Sequence, residues 1–158
     1  MNVAIGADHG GFALKAALVE WLQRRGLEVA DLGTHSPKPC DYPLIGLKVA
    51  SAVARKQFDR GILLCKSGIG IAIAANKVRG IRAAVCGDCF DAARARAHND
   101  ANVLVLGAEK VREAQARRIV ETWCDTSFEA GGRHARRVKQ IAMIERRAVH
   151  AHASSARR

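Results

Sequence analysis

Arg60-Gly61-Ile62-Leu63-Leu64-Cys65-Lys66-Ser67-Gly68-Ile69-Gly70-Ile71 joins a short apolar run to a glycine-bearing turn. The run has no polar alternation, so Arg60–Cys65 reads as a strand buried on both faces. The glycines break it, and Gly68–Lys77 continues with helical character. The same unit recurs on either side. Asn2–Ala7 is an apolar strand pattern, and Phe12–Arg25 carries Leu14, Leu18, Trp21 and Leu22 at helical spacing up to Gly26. Leu27–Leu32 reads as a strand, and Gly33–Pro43, which holds all three prolines, as a loop. Leu44–Lys56 reads as a helix, Ile81–Cys86 as a strand, and Asp88–His98 as a helix with Asp88 as N-cap. Asn102–Leu106 is a strand pattern, Val111–Cys124 a helix, and His134–Arg147 a last amphipathic helix. Residues 1–147 thus form one domain, and Ala148–Arg158 reads as a disordered basic tail.

Strands alternating with helices in this way predict a three-layer, Rossmann-like α/β fold. A five-stranded parallel sheet with right-handed crossovers would be covered on both faces. Composition agrees: 49% of the 158 residues are apolar but only 4% aromatic, so the core is built from aliphatic side chains. No apolar run approaches the ~18 residues of a membrane span. The N-terminus enters a strand at once, without the basic and apolar regions of a signal peptide, which points to a cytoplasmic protein. The five cysteines, an odd count, suit reduced thiols. Cys86 and Cys89 form a C-x-x-C, but no second pair stands at zinc spacing, so no metal is expected. Net charge is +11, of which Arg133–Arg158, with eight Lys/Arg against Glu145, holds +7. Without aromatic interleaving or a recognised motif, this does not read as a nucleic-acid surface.

Ligands of open parallel sheets bind beyond the carboxyl ends of the strands. Asp8-His9 and Cys65–Gly70 are expected there. His98-Asn99-Asp100 ends a helix and is placed near the same edge. The Cys65 turn lacks the spacing of a Walker loop, because Gly61 precedes Lys66-Ser67 by one residue too few. It lacks that of a dinucleotide loop, because Ile73 replaces the third glycine, and that of a cysteine phosphatase loop, because Ile71 stands where arginine is needed. What remains is a thiol beside an anion-binding turn, and a helix start favours the thiolate. Spacing leaves two readings of Cys65 open: a base or nucleophile, or a small hydrophobe ending a strand. Arg133 and Arg137 lie one turn apart, suited to gripping a phosphate or to forming a solvated basic face.

Taken in order, Gly6-Ala7-Asp8-His9-Gly10-Gly11-Phe12, Asp41-Tyr42-Pro43, Cys65 with Ser67-Gly68-Ile69-Gly70, Ala74-Ala75-Asn76-Lys77, Gly80-Ile81-Arg82-Ala83, His98-Asn99-Asp100-Ala101-Asn102-Val103 and Gly131-Gly132-Arg133-His134 resemble the ribose-5-phosphate isomerase B family, which includes galactose-6-phosphate isomerase subunits. The resemblance runs from about Asn2 to Arg147. It implies interconversion of ribose 5-phosphate and ribulose 5-phosphate, a step of the pentose phosphate pathway, without cofactor or metal. By position it makes Cys65 the base that moves a proton between C1 and C2, and has His98 open the sugar ring with Asp8. Lys66, Ser67, Gly68, Ile69 and Gly70 would form the enediolate's anion hole. His9, Arg133 and Arg137 would hold the phosphate, and Asn99 the sugar. It also implies a homodimer, or a dimer of dimers, with shared active sites and the last helix reaching across to the partner subunit.

Two positions depart from the family. Many members read Cys-Gly-Thr-Gly where this chain has Cys65-Lys66-Ser67-Gly68, and many carry a phosphate-contacting arginine where it has Glu109. Lys66 is expected to pair with Glu109 or to reach the phosphate. The departures leave open another substrate, galactose 6-phosphate or a tetrose phosphate. From a different class, a non-catalytic sugar-phosphate or RNA-binding module remains an alternative.

Overall fold

The computed structural model describes residues 1–155, and the side chains of 1–147. The chain order is β1 (Asn2–Ala7), α1 (Phe12–Arg24), β2 (Glu28–Asp31), α2 (Tyr42–Ala54), β3 (Arg60–Cys65), α3 (Ile69–Ala75), β4 (Ala83–Val85), α4 (Cys89–Asn99), β5 (Val103–Gly107), α5 (Glu113–Asp125) and α6 (Gly132–Ser155). All strand pairs are parallel, in the order β2-β1-β3-β5-β4. The central pairs align Ile5 with Ile62 and Cys65 with Gly107.

Side chains alternate across a strand, and each face meets its own helices. Val3, Ile5, Ile62, Leu64, Leu104 and Leu106 join Leu18 and Leu22 of α1 and Ile119 and Trp123 of α5 in one core. Ala4, Leu63, Cys65, Val103 and Val105 join Val49 and Val53 of α2 and Ile71 of α3 in the other. The three-layer parallel architecture expected from the alternation is the one observed. Cys65 belongs to the α2–α3 side.

Three boundaries differ from the sequence reading for local reasons. α2 starts at Tyr42 rather than Leu44, because Pro43 falls in the first helical turn, where its missing N–H has no partner to lose. β4 is shorter than Ile81–Cys86. Arg82 N–H is taken by the Asn102 side chain, and the Asn76 amide donates to and accepts from the Ala83 backbone at 2.9 and 2.8 Å. That side chain occupies the exposed edge of the sheet. α6 runs past Arg147 to Ser155, so part of the segment expected as a tail is helical. Residues 156–158 lie outside the described residues.

α6 packs on α4, away from the sheet, and leaves Ile141, Met143 and Ile144 exposed. No helix among the described residues is long and apolar enough to cross a membrane.

Candidate active site

β1 has β2 on one side and β3 on the other, so the chain reverses its winding direction between β1 and β3. Connections leaving the carboxyl ends of two such strands diverge and leave a crevice between them. The Asp8–Gly11 loop leaves β1 there, and the Cys65–Gly70 turn leaves β3. They touch: the Asp8 N–H donates to the Leu64 carbonyl at 3.2 Å, and a methyl group on Gly10 would fall 2.4 Å from the Lys66 Cγ.

Asp8 is buried, and its Oδ1 accepts the N–H groups of Gly10 and Gly11 at 2.9 and 3.1 Å. The carboxylate therefore shapes its own loop besides being available at the crevice. The His9 Nδ1 accepts the Cys40 N–H at 3.3 Å. A neutral imidazole held this way carries its proton on Nε2, the atom left to donate to an anion.

Cys65 is 4% exposed, and its Sγ receives the Gly68 N–H at 3.1 Å. Gly68 has φ +81°, which turns that N–H back over the sulfur; a side chain there would be strained. The Ile69 N–H donates to the Ser67 Oγ at 3.3 Å. Two backbone donors assigned by the sequence reading to an anion hole are thus engaged within the turn. α3, with seven residues, is short for a strong helix dipole. The turn itself holds the thiol beside a backbone donor, and the Ser67 hydroxyl keeps its own proton to give. Tyr42, which the reading noted only within a motif, also belongs here: a methyl group on Gly70 would come within 2.5 Å of its ring.

Lys66 does not pair with Glu109. Their backbones meet, with the Glu109 N–H donating to the Lys66 carbonyl at 3.0 Å. The Lys66 stem, however, lies over Gly10 on the β1 side of β3, while Glu109 follows β5 on the other side. No ion pair among the described residues joins the two.

The placement of His98-Asn99-Asp100 near this edge needs correction. α4 starts beyond the carboxyl end of β4 and returns to the amino-terminal start of β5. Its last turn therefore lies at the opposite end of the sheet. Val103 and Gly107 pair with Gly61 and Cys65 respectively, so the two ends are about 13 Å apart along the strands at ~3.3 Å per residue. The Asn99 carbonyl accepts the Arg82 Nε at 3.0 Å, and Asp100 is ion-paired with Arg82 and Arg96. Arg133 and Arg137 are exposed on α6 close by. Each chain thus carries two separate groups: Asp8, His9 and Cys65–Gly70 at the carboxyl edge, and His98, Asn99, Arg133 and Arg137 at the α4–α6 end.

At that second end, the rings of His98 and His134 stack with centroids 4.0 Å apart and planes 8° from parallel. The Glu129 carboxylate lies 3.7 Å from the Nε2 of each. The potential ligand atoms of these three residues lie within 4.8 Å of one another. Parallel rings send their lone pairs side by side rather than toward one point, and the Arg133 Nε donates to the His134 Nε2 at 3.4 Å. This geometry does not converge on a cation. Burial first, and then the charges of His98, Arg133 and Arg137, outweigh Glu129 and lower the His134 pKa from the ordinary histidine value.

A family model described as Ribose/Galactose Isomerase matches residues 3–141. Ribose-5-phosphate isomerase B of Escherichia coli (strain K12) is 48% identical over 146 residues, which cover 92% of this chain and 97% of that protein. D-erythrulose-4-phosphate isomerase of Pectobacterium atrosepticum is 41% identical over 152 residues, 95% and 99% of the two chains. Among solved structures, the ribose-5-phosphate isomerase B of Clostridium thermocellum superimposes with a TM-score of 0.92 at 51% identity, covering 94% of this chain and 99% of that one.

Proposed function

The chain belongs to the ribose/galactose isomerase family, and we propose on that premise that Cys65 is the base by which it interconverts ribose 5-phosphate and ribulose 5-phosphate. It is an aldose–ketose isomerase. The observation that carries the assignment of the base is the Cys65 sulfur at the β1/β3 crevice, with a backbone donor aimed at it. The Asp8–His9 loop lies against the same turn.

The chemistry follows from what these groups can hold and release. Opening the furanose breaks the C1–O4 bond: O4 keeps the bonding pair and takes a proton from His98, while Asp8 takes the proton of the C1 hydroxyl as C1=O forms. The Cys65 thiolate then removes the C2 proton. That bonding pair becomes the C1–C2 double bond, and the carbonyl pair moves onto O1. The Ser67 hydroxyl and the backbone N–H groups of Lys66–Gly70 other than those of Gly68 and Ile69, which the turn itself engages, stabilise this oxyanion. A proton moves from O2 to O1, and the Cys65 thiol returns its proton to C1, giving the ketose. His9, Arg133 and Arg137 hold the phosphate, and Asn99 the sugar hydroxyls. Lys66, exposed over the Asp8–Gly11 loop, adds a cation near His9.

The two groups lie at opposite ends of the sheet, so one sugar can meet both only if a second copy supplies His98, Asn99, Arg133 and Arg137. A homodimer joined through α6 fits this, with its exposed Ile141, Met143 and Ile144. A cleft of about 730 Å³ between α6 and the β4 edge takes in Asn99 but not Cys65. It therefore belongs to the surface that such a partner would complete.

The test is steady-state turnover of ribose 5-phosphate by wild type and Cys65→Ala. Removing a general base costs ~10²–10⁴-fold, and the variant should still bind the sugar phosphate. Undiminished turnover would reject Cys65 as the base. The 41% identity to D-erythrulose-4-phosphate isomerase, together with Lys66 and Glu109, supports a second reading, a tetrose phosphate substrate. Profiling phosphorylated sugars of four to six carbons decides between them: faster turnover of a tetrose phosphate would displace the pentose.

A further inference from the structure

We infer that His134 and Glu129 are positioning residues for His98, holding its imidazole in the plane needed to open the sugar ring. The inference rests on the reading of His98 as the ring-opening group.

Four observations converge on it. The α5–α6 connection is tied to the helix bearing His98, because the Glu129 N–H donates to the Ala97 carbonyl at 2.9 Å. That bond sets the Glu129 carboxylate beside both imidazoles, 3.7 Å from each Nε2, an ion-pair distance rather than a hydrogen bond. His134, only 9% exposed, lies face to face with His98 at 4.0 Å. Its Nε2 accepts from the Arg133 Nε, so the neutral ring carries its proton on Nδ1.

These contacts divide the labour between two similar rings. His134 faces His98, Glu129, Arg133 and Arg137. With two guanidinium groups beside it and little exposure, it stays a neutral plate. Glu129 holds its carboxylate 3.7 Å from the His98 Nε2. The plate restricts the His98 ring to one plane, and the carboxylate biases its rotation within that plane. A proton donor fixed in this way loses little orientational freedom when the sugar arrives.

A merely structural role would affect every step of the reaction, whereas a positioning role affects only ring opening. Ribulose 5-phosphate is acyclic, because its C5 oxygen is phosphorylated. Exchange of its C1 proton with deuterated solvent needs Cys65 and the enediolate but no ring chemistry. The experiment compares His134→Ala, His134→Phe, Glu129→Gln and His98→Asn with the intact protein. It measures turnover of ribose 5-phosphate and, by proton NMR in D₂O, loss of the ribulose 5-phosphate C1 signal. The expected result is about a tenfold or greater loss of ribose 5-phosphate turnover in His98→Asn and His134→Ala, with exchange within about twofold of wild type. His134→Phe should recover part of the loss, since it restores the flat face. Glu129→Gln should lower kcat more than it changes KM. Equal losses in both assays for His134→Ala, or no loss in turnover, would overturn the inference. If His98→Asn itself slows both assays equally, the ring-opening reading fails first and the positioning role falls with it.

Discussion

Cys65 and Cys86 are both buried residues near the carboxyl ends of strands, at 4% and 2% exposure, yet their surroundings differ. The Cys65 sulfur receives a backbone N–H. Burial, reinforced by Asp91 and Asp88, pushes Cys86 up to about 12, and burial pushes Cys124 up to about 11. Alkylation proceeds through the thiolate, so near pH 8 a thiol of pKa about 12 reacts from roughly one molecule in ten thousand. Peptide mapping after inactivation with iodoacetamide should find Cys65 modified and Cys86 and Cys124 untouched. Inactivation that tracks modification of Cys86 would contradict this. Gly68 supplies the donor only because its φ is +81°. Gly68→Ala should cost about 1–2 kcal/mol of stability, read as a lower melting temperature. It should also slow turnover, because its Cβ would stand 3.2 Å from the Gly107 nitrogen and displace the turn.

The helices carry site residues according to their direction rather than their distance in sequence. α3 and α4 both start at the carboxyl edge, but Cys65 precedes its helix and His98 ends the other, so the two residues face opposite ends of the sheet. α6 brings His134 onto α4 in its first turn, and that burial has a pH signature. A histidine whose pKa is lowered on folding stabilises the fold above its unfolded value of about 6.5, and that contribution is lost as pH falls through this value toward the folded one. The melting temperature should therefore drop between pH 7.5 and pH 5.5 by less in His134→Phe than in wild type. An equal drop in both would show that protonation of His134 does not oppose folding.

At the scale of the whole molecule, the proposed site needs a second copy of the chain, because its two groups lie at opposite ends of the sheet. In a two-fold dimer with shared sites, a Cys65→Ala chain paired with a His98→Asn chain contains one site with both residues intact. Mixing the two impaired variants, after dissociation and reassembly, should raise turnover to about a quarter of wild type, since about half the dimers would be mixed and each would carry one of two sites. Turnover no higher than the sum of the separate variants would place Cys65 and His98 in independent sites.

Much of this was legible in the sequence. Strand and helix periods are local, so the five strands, the alternating helices and the position of Cys65 at the end of β3 follow from patterns a few residues long. The glycine at 68 likewise marks a turn that only a residue without a side chain takes easily. The order β2-β1-β3-β5-β4 depends on pairing between distant segments, which no local period encodes. Only that order puts the Asp8 loop against the Cys65 turn. Helix direction within it sends His98 to the other end, against a sequence reading that treated helix ends and strand ends as one edge. The contact of His98 with Glu129 and His134 joins α4 to the start of α6 across the whole of β5 and α5. Such a contact exists only once the chain has packed.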